Sequence, residues 1–197
     1  MPTHRLVIFV KNPIPGTVKT RIAKTVGAEK AARVYRHLVQ YTQQITRYSP
    51  WEKIVYYADF VNPNDGWSGY QKAQQADGNL GQRMQQAFQD QFSTKAERVV
   101  LIGSDCLAIT ETHLTQAFAA LDTADVVIGP ATDGGYYLLG MKELHNNLFA
   151  NMPWSQPDLL LETTKAITNS KLTVSLLEQL PDIDEWSDYV KAMGHTV

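Results

Sequence analysis

The stretch VIFVKNPIPGTVKTRIAK, residues 7–24, sets four cations, Lys11, Lys19, Arg21 and Lys24, around two prolines and a glycine directly after a buried-looking apolar run. Clustered cations beside a glycine are the chemistry of anion capture. Gly16 lets backbone N–H groups approach a phosphate. Thr17 to Arg21 open the helix that follows, so an anion there meets a helix N-terminus and cationic side chains together. The pattern is not a Walker loop, because two residues separate Gly16 from Lys19 and no glycine sits five residues upstream of Gly16. A solvated basic turn would share this composition.

Two further apolar runs end in polar chemistry. In LIGSDCLAIT, Asp105 follows a buried-looking strand, which is where a carboxylate can hold Mg²⁺ or Mn²⁺ while the ion keeps waters and substrate phosphates. Capping the segment that begins near Thr110 is the other use for it. In PATDGGYY, Gly134 and Gly135 permit close backbone approach to a ligand, and Asp133 can bind sugar hydroxyls or take a proton from an attacking one. Asp-Gly is also a turn signal in its own right. Tyr136 and Tyr137 alternate faces, so at most one lines a site. Near the C-terminus, LPDIDEWSDY brings Asp182, Asp184 and Glu185 together. At least one of these acids reads as a helix cap, and Asp182 or Asp184 is available as a second metal carboxylate.

Other reactive side chains carry less. Cys106 has no histidine with a matching role and reads as a small buried thiol. His4, His37, His113, His145 and His195 show no metal-ligand spacing. Trp51, Trp67, Trp154 and Trp186 read as packing residues, with Trp154 in MPWSQP the best placed to wall an acceptor pocket.

The elements that must position these residues are legible from periodicity. Residues 5–10, 53–58, 98–103 and 125–130 are continuously apolar and rich in Val, Ile and Tyr, the pattern of strands covered on both faces. Ala28, Ala31, Ala32, Tyr35, Leu38, Val39, Thr42 and Ile45 form one face of a helix, and Leu114, Ala117, Phe118 and Leu121 repeat the pattern after Thr110. Residues 79–92 read as a helix, 136–141 as a strand, and 157–167 as a helix with Pro157 at its start. Alternating strands and helices imply right-handed crossovers and a mostly parallel sheet between helical layers. In such a sheet ligands bind beyond the carboxyl ends of the strands, which puts all three polar loops on one rim.

Composition bounds the rest. The 197 residues suit a single domain over 1–197, 44% are hydrophobic, and the net charge of −2 excludes a general nucleic-acid binder. One cysteine allows no internal disulfide. The N-terminal apolar run is too short for a signal peptide and no segment approaches a membrane span, so the expected location is the cytoplasm.

FVKNPIPGTVKTR, GNLGQRM, LIGSDC, GPATDGGYYLLG, MPWS and LPDIDEWSDY, in this order, resemble a bacterial family of small GT-A-like proteins in the nucleotide-diphospho-sugar transferase superfamily. Members are labelled glycosyltransferases of unknown substrate, and the family is similar to the guanylyltransferases of 2-phospholactate and molybdenum-cofactor synthesis. The resemblance covers nearly the whole chain. It implies an α/β three-layer Rossmann-like fold with a mostly parallel mixed sheet. It further implies that Lys11, Gly16, Lys19 and Arg21 wrap nucleotide phosphates, that Asn79, Gly81 and Arg83 lie near the nucleotide, and that Asp105 and Asp184 hold the metal. The chain departs from the family where Asn79 replaces an aspartate and where Glu185 and Trp186 replace Thr-Pro.

The expected activity is therefore metal-assisted transfer of a sugar from a nucleotide-diphospho-sugar to a small-molecule or lipid-linked acceptor. Lys19 and Arg21 would neutralise the leaving phosphate, Asp133 would serve the acceptor, and Gly134, Gly135, Tyr136 and Trp154 would bind it. Joining a nucleoside triphosphate to a phosphorylated acceptor uses the same machinery, and a nucleotide-binding module without turnover is the alternative from another class.

Overall fold

Leu6 to Val10 carry no polar side chain, and all five are buried, because successive residues of a strand face opposite sides and both sides of this one are covered. Leu6, Ile8 and Val10 pack into one core, Val7 and Phe9 into the other. They belong to β1 (His4–Val10), an interior strand of the sheet. The structure is a computed structural model describing residues 3–194; residues 1–2 and 195–197, His195 among them, lie outside the described residues.

The other strands are β2 (Glu52–Tyr57), β3 (Gln71–Gln74), β4 (Arg98–Ile102), β5 (Val126–Pro130), β6 (Tyr136–Met141) and β7 (Val174–Leu176). Their spatial order is β3-β2-β1-β4-β6-β5-β7. All run parallel except β6, which is antiparallel to both β4 and β5. The helices are α1 (Thr20–Val26), α2 (Ala28–Thr46), α3 (Leu80–Ser93), α4 (Glu111–Ala120), α5 (Leu159–Asn169) and α6 (Trp186–Ala192). α1, α2 and α4 share one core with one face of the sheet, and α3 and α5 share the second core with the other, giving three layers.

Helix starts follow local chemistry. Asn79 caps α3: its Oδ1 accepts from Gln82 N–H at 3.0 Å, and Gln82 Oε1 accepts from Asn79 N–H at 2.9 Å. Thr110 stands at the N-cap of α4, as expected, with its N–H donating to His113 Nδ1 at 3.1 Å. α5 begins two residues later than Pro157 suggested, with Asp158 at its N-cap. The helix after the basic loop is a separate seven-residue α1, closed by Gly27 at φ 83°. No helix of the described residues is long and apolar enough to cross a membrane.

Candidate functional site

β1, β4 and β5 end on one rim, and antiparallel β6 begins there, so the loops after the first three strands converge over a cleft of about 760 Å³. The C-terminal segment joins them. Leu180 N–H donates to Pro130 O and Thr132 N–H to Leu180 O, and Ile183 N–H donates to Asp105 O at 2.9 Å. Backbone pairing to β5 and to the β4 loop is thus what carries Asp182 and Asp184 to the rim.

At the centre stands Lys19. Its Nζ lies 2.9 Å from Asp105 Oδ1 and 3.8 Å from Asp184 Oδ1, and donates to Ile183 O at 2.6 Å. The contact with Asp105 lacks hydrogen-bond geometry, so that buried oxygen has a charge partner but no hydrogen bond. Arg21 Nη1 reaches Asp184 Oδ2 at 3.5 Å from an exposed position.

In the loop after β5, Asp133 Oδ1 accepts from Gly135 N–H at 2.9 Å, closing a tight turn whose Gly134 has φ 90°. Gly134 O accepts from Leu160 N–H at 2.9 Å, which fastens the turn to the start of α5. Tyr136 and Tyr137 both line the cleft, although their alternation along β6 predicted at most one, and burial pushes the Tyr136 hydroxyl's pKa upward.

Asp182 is the most perturbed acid. Burial first, then the charges of Asp105, Asp133 and Asp184, push its carboxyl up to about 7, with Lys19 opposing, and its Oδ1 is buried without a partner. Cys106 is buried and its Sγ donates to Pro181 O at 3.4 Å; burial pushes the thiol up to about 12, the opposite of what an activated thiolate needs.

The cleft is lined by Lys11, Lys19, Arg21, Arg83, Asp105, Asp133, Gly135, Tyr136 and Asp184 among the expected residues. Gly16, Asn79, Gly81, Gly134 and Trp154 are not in its lining. Gly16 bends the basic loop at φ 84°. Asn79 is the α3 cap. A Cβ on Gly81 would overlap the indole of Trp154, so these two form a packing joint between α3 and the 150s segment. Trp154 also stacks on Phe149 at 6.4 Å, and Ser155, Gln156 and Pro157 form the cleft wall instead. Glu185 caps α6, whose Trp186 lies under the Lys30 ammonium at 4.2 Å and whose Tyr189 hydroxyl meets His37 Nδ1 at 3.0 Å.

Tyr35 is a site residue that periodicity reads only as core. Its hydroxyl accepts from Lys11 N–H at 2.8 Å and bonds Ser104 Oγ at 2.9 Å, joining the loops after β1 and β4. A tyrosine on a helical apolar face gives no sign of this. Tyr35→Phe strands the Lys11 N–H. It is expected to cost about 1–3 kcal/mol in urea unfolding and to speed amide exchange at Lys11.

All acidic side chains here offer oxygen, which suits a hard divalent ion. Among the described residues no group of three or more His, Cys, Asp and Glu is placed to hold a metal alone. Asp105 and Asp184 fit an ion that draws its other ligands from water or phosphate, and the unsatisfied Asp105 Oδ1 is the atom that supports the fit.

The family model described as "Uncharacterized protein conserved in bacteria (DUF2064)" matches residues 41–156. No curated protein matches in sequence. A provisionally named nucleotide-diphospho-sugar transferase from Desulfovibrio desulfuricans G20 is 32% identical, with 97% of this chain and 87% of that one covered and a TM-score of 0.87. The inositol-1-phosphate CTP transferase of T. maritima shares the fold at 12% identity, covering 98% and 95%, with a TM-score of 0.62. A Mycobacterium tuberculosis H37Rv protein solved with manganese shares it at 12% identity, 98% and 98%, with a TM-score of 0.60. The three-layer α/β fold with its mixed seven-stranded sheet is that of the nucleotide-diphospho-sugar transferases, and the chain belongs to the DUF2064 family of bacterial proteins.

Proposed function

We propose that the cleft transfers the sugar of a nucleotide-diphospho-sugar to an acceptor hydroxyl. The observation that carries this reading is the meeting of Lys19, Arg21, Asp105 and Asp184 at one side of the cleft, with Asp133 lining the same cleft. Lys11, Lys19 and Arg21 hold the diphosphate, with Arg83 and the start of α3 beside the nucleoside. Asp105 and Asp184 hold Mg²⁺ or Mn²⁺, which supplies positive charge to the departing diphosphate. Lys19 and Arg21 neutralise the same charge as it grows, the kind of fixed electrostatic aid whose loss typically costs on the order of 100-fold in rate. The bond from the anomeric carbon to the phosphate oxygen breaks, the acceptor oxygen bonds to that carbon, and Asp133 takes the acceptor proton. Gly135 and Tyr136 bound the acceptor side, with the acceptor a small molecule or a lipid-linked group. We place this activity in one domain spanning the chain and in the cytoplasm.

Nucleotidyl transfer is the second reading, favoured by the basic loop at the end of β1 and by the fold shared with a CTP transferase. There an acceptor phosphate attacks the α-phosphorus and pyrophosphate leaves.

Thermal shift separates these readings. With Mg²⁺ or Mn²⁺, a ligand at about 100 times its dissociation constant stabilises the fold by about 2.7 kcal/mol, worth about 5–10 °C here. A metal-dependent shift with one nucleotide sugar, lost in Asp105→Ala, is the expected result and identifies the donor. A shift with a triphosphate in preference selects nucleotidyl transfer, binding without turnover selects the non-catalytic module, and no shift with any nucleotide overturns all three.

A further inference from the structure

Lys19 points into the cleft. Its side chain is 7% exposed, and its ammonium faces three oxygens, Ile183 O at 2.6 Å, Asp105 Oδ1 at 2.9 Å and Asp184 Oδ1 at 3.8 Å. The residue is held in left-handed backbone, φ 46° and ψ 50°, a conformation that costs a non-glycine residue about 1–2 kcal/mol. The turn is kept by Ala23 N–H donating to Lys19 O at 2.9 Å. Three oxygens around one cation, two of them carboxylate and one carbonyl, are also the donor set a hard divalent ion would use. The position between Asp105 and Asp184 is thus already filled by a positive charge of the chain itself.

A free divalent ion entering there would have to expel an ammonium that has no other acidic partner within salt-bridge distance among the described residues, and two cations between two carboxylates repel. A diphosphate changes this, because it offers Lys19 new oxygens on the same side of the cleft. Arg21, 67% exposed and close to Asp184, is free to follow the same phosphate. We infer that the cleft takes its divalent ion as a chelate with the nucleotide diphosphate and not as the free ion, Lys19 being the resident cation that leaves the Asp105–Asp184 pair for the phosphates when the chelate enters. The inference rests on the functional reading above and adds to it the form in which the substrate binds and the order it imposes.

Mn²⁺ binding to the nucleotide-free protein, followed by electron paramagnetic resonance, tests it without any assay of turnover. Lys19→Met, checked for a cooperative melt, leaves the three oxygens without their cation and is expected to bind Mn²⁺ at least about tenfold more tightly than wild type. Equal affinities overturn the inference while leaving the metal reading standing. If neither protein binds Mn²⁺, alone or in equilibrium dialysis with inorganic pyrophosphate, both fail together. The wild-type protein supplies a second measurement in which no variant's fold is at issue. Acetylation of Lys19, read by peptide mass spectrometry against exposed Lys11, is expected to stay slow with free Mg²⁺ as without it. Acceleration of Lys19 labelling by free Mg²⁺ would show the ion displacing the side chain unaided and would overturn the proposal.

Discussion

Gly134→Ala is expected to lower the melting temperature by about 4–20 °C, at about 2–4 °C per kcal/mol for a chain of this size. Two costs add. Gly134 has φ 90°, which an alanine adopts at about 1–2 kcal/mol. Its Cβ would also overlap the Pro157 carbonyl oxygen and stand 2.7 Å from the carbonyl carbon. That neighbour is backbone at the start of α5, tied to Gly134 by the Leu160 N–H, so no rotamer change relieves it, and overpacking of this kind costs about 1–3 kcal/mol. Gly135→Ala is the internal comparison, since its Cβ would meet only the Asp133 side chain at 3.2 Å. Calorimetric melts of both variants decide the matter; a Gly134→Ala melt within 2 °C of wild type, on the order of 1 kcal/mol or less, would mean that the turn is not clamped to α5 as described.

Asp182→Asn is expected to stabilise the protein in chelator at pH 8 and to change it little at pH 4. In the unfolded chain the carboxyl ionises near 3.8, whereas in the fold burial and the neighbouring carboxylates raise it to about 7. The folded state therefore holds the proton more tightly. Stability linked to this group is present below pH 4, declines as pH rises from about 4 to 7, and is absent above 7. At 1.36 kcal/mol per pH unit the cost to wild type at pH 8 is about 4 kcal/mol. The variant carries no such proton, so its advantage should grow across that window. Urea unfolding of both proteins at pH 4, 6 and 8 reads it directly, and an advantage independent of pH would place Asp182 in water after all.

The buried parts of this fold were the easiest to read. β1, β2, β4 and β5 announce themselves because strands covered on both faces must be apolar throughout, and the α2 face because eight of its residues fall at helical spacing. β3 and β7 do not, since Gln71-Lys72-Ala73-Gln74 lies at the sheet margin and Val174–Leu176 is too short for any period to emerge. The break between α1 and α2 at Gly27 was equally silent, because both helices present apolar residues to the same core. At the rim, residue type revealed which side chains were unusual, but partnership across the chain was hidden. Nothing near Lys19 in sequence says that it rests between Asp105 and Asp184, and nothing near Trp154 says that Gly81 receives its indole. Both depend on strand order, which brings distant loops side by side. Asp182 shows the same limit, as its perturbed carboxyl comes from burial and from three acids distant along the chain or two residues away.

The two marginal strands bear on how this molecule meets others of its kind. A sheet ends in unpaired N–H and C=O groups that invite another chain to continue it, and long flat apolar margins are where proteins of this architecture stick together. Here one margin is a four-residue strand with two glutamines and a lysine, and the other is three residues long. Both offer only a short ladder to a further strand. Short margins of this kind disfavour self-association by sheet continuation at both ends, so the backbone that carries the charged rim is little drawn into β-pairing with its neighbours.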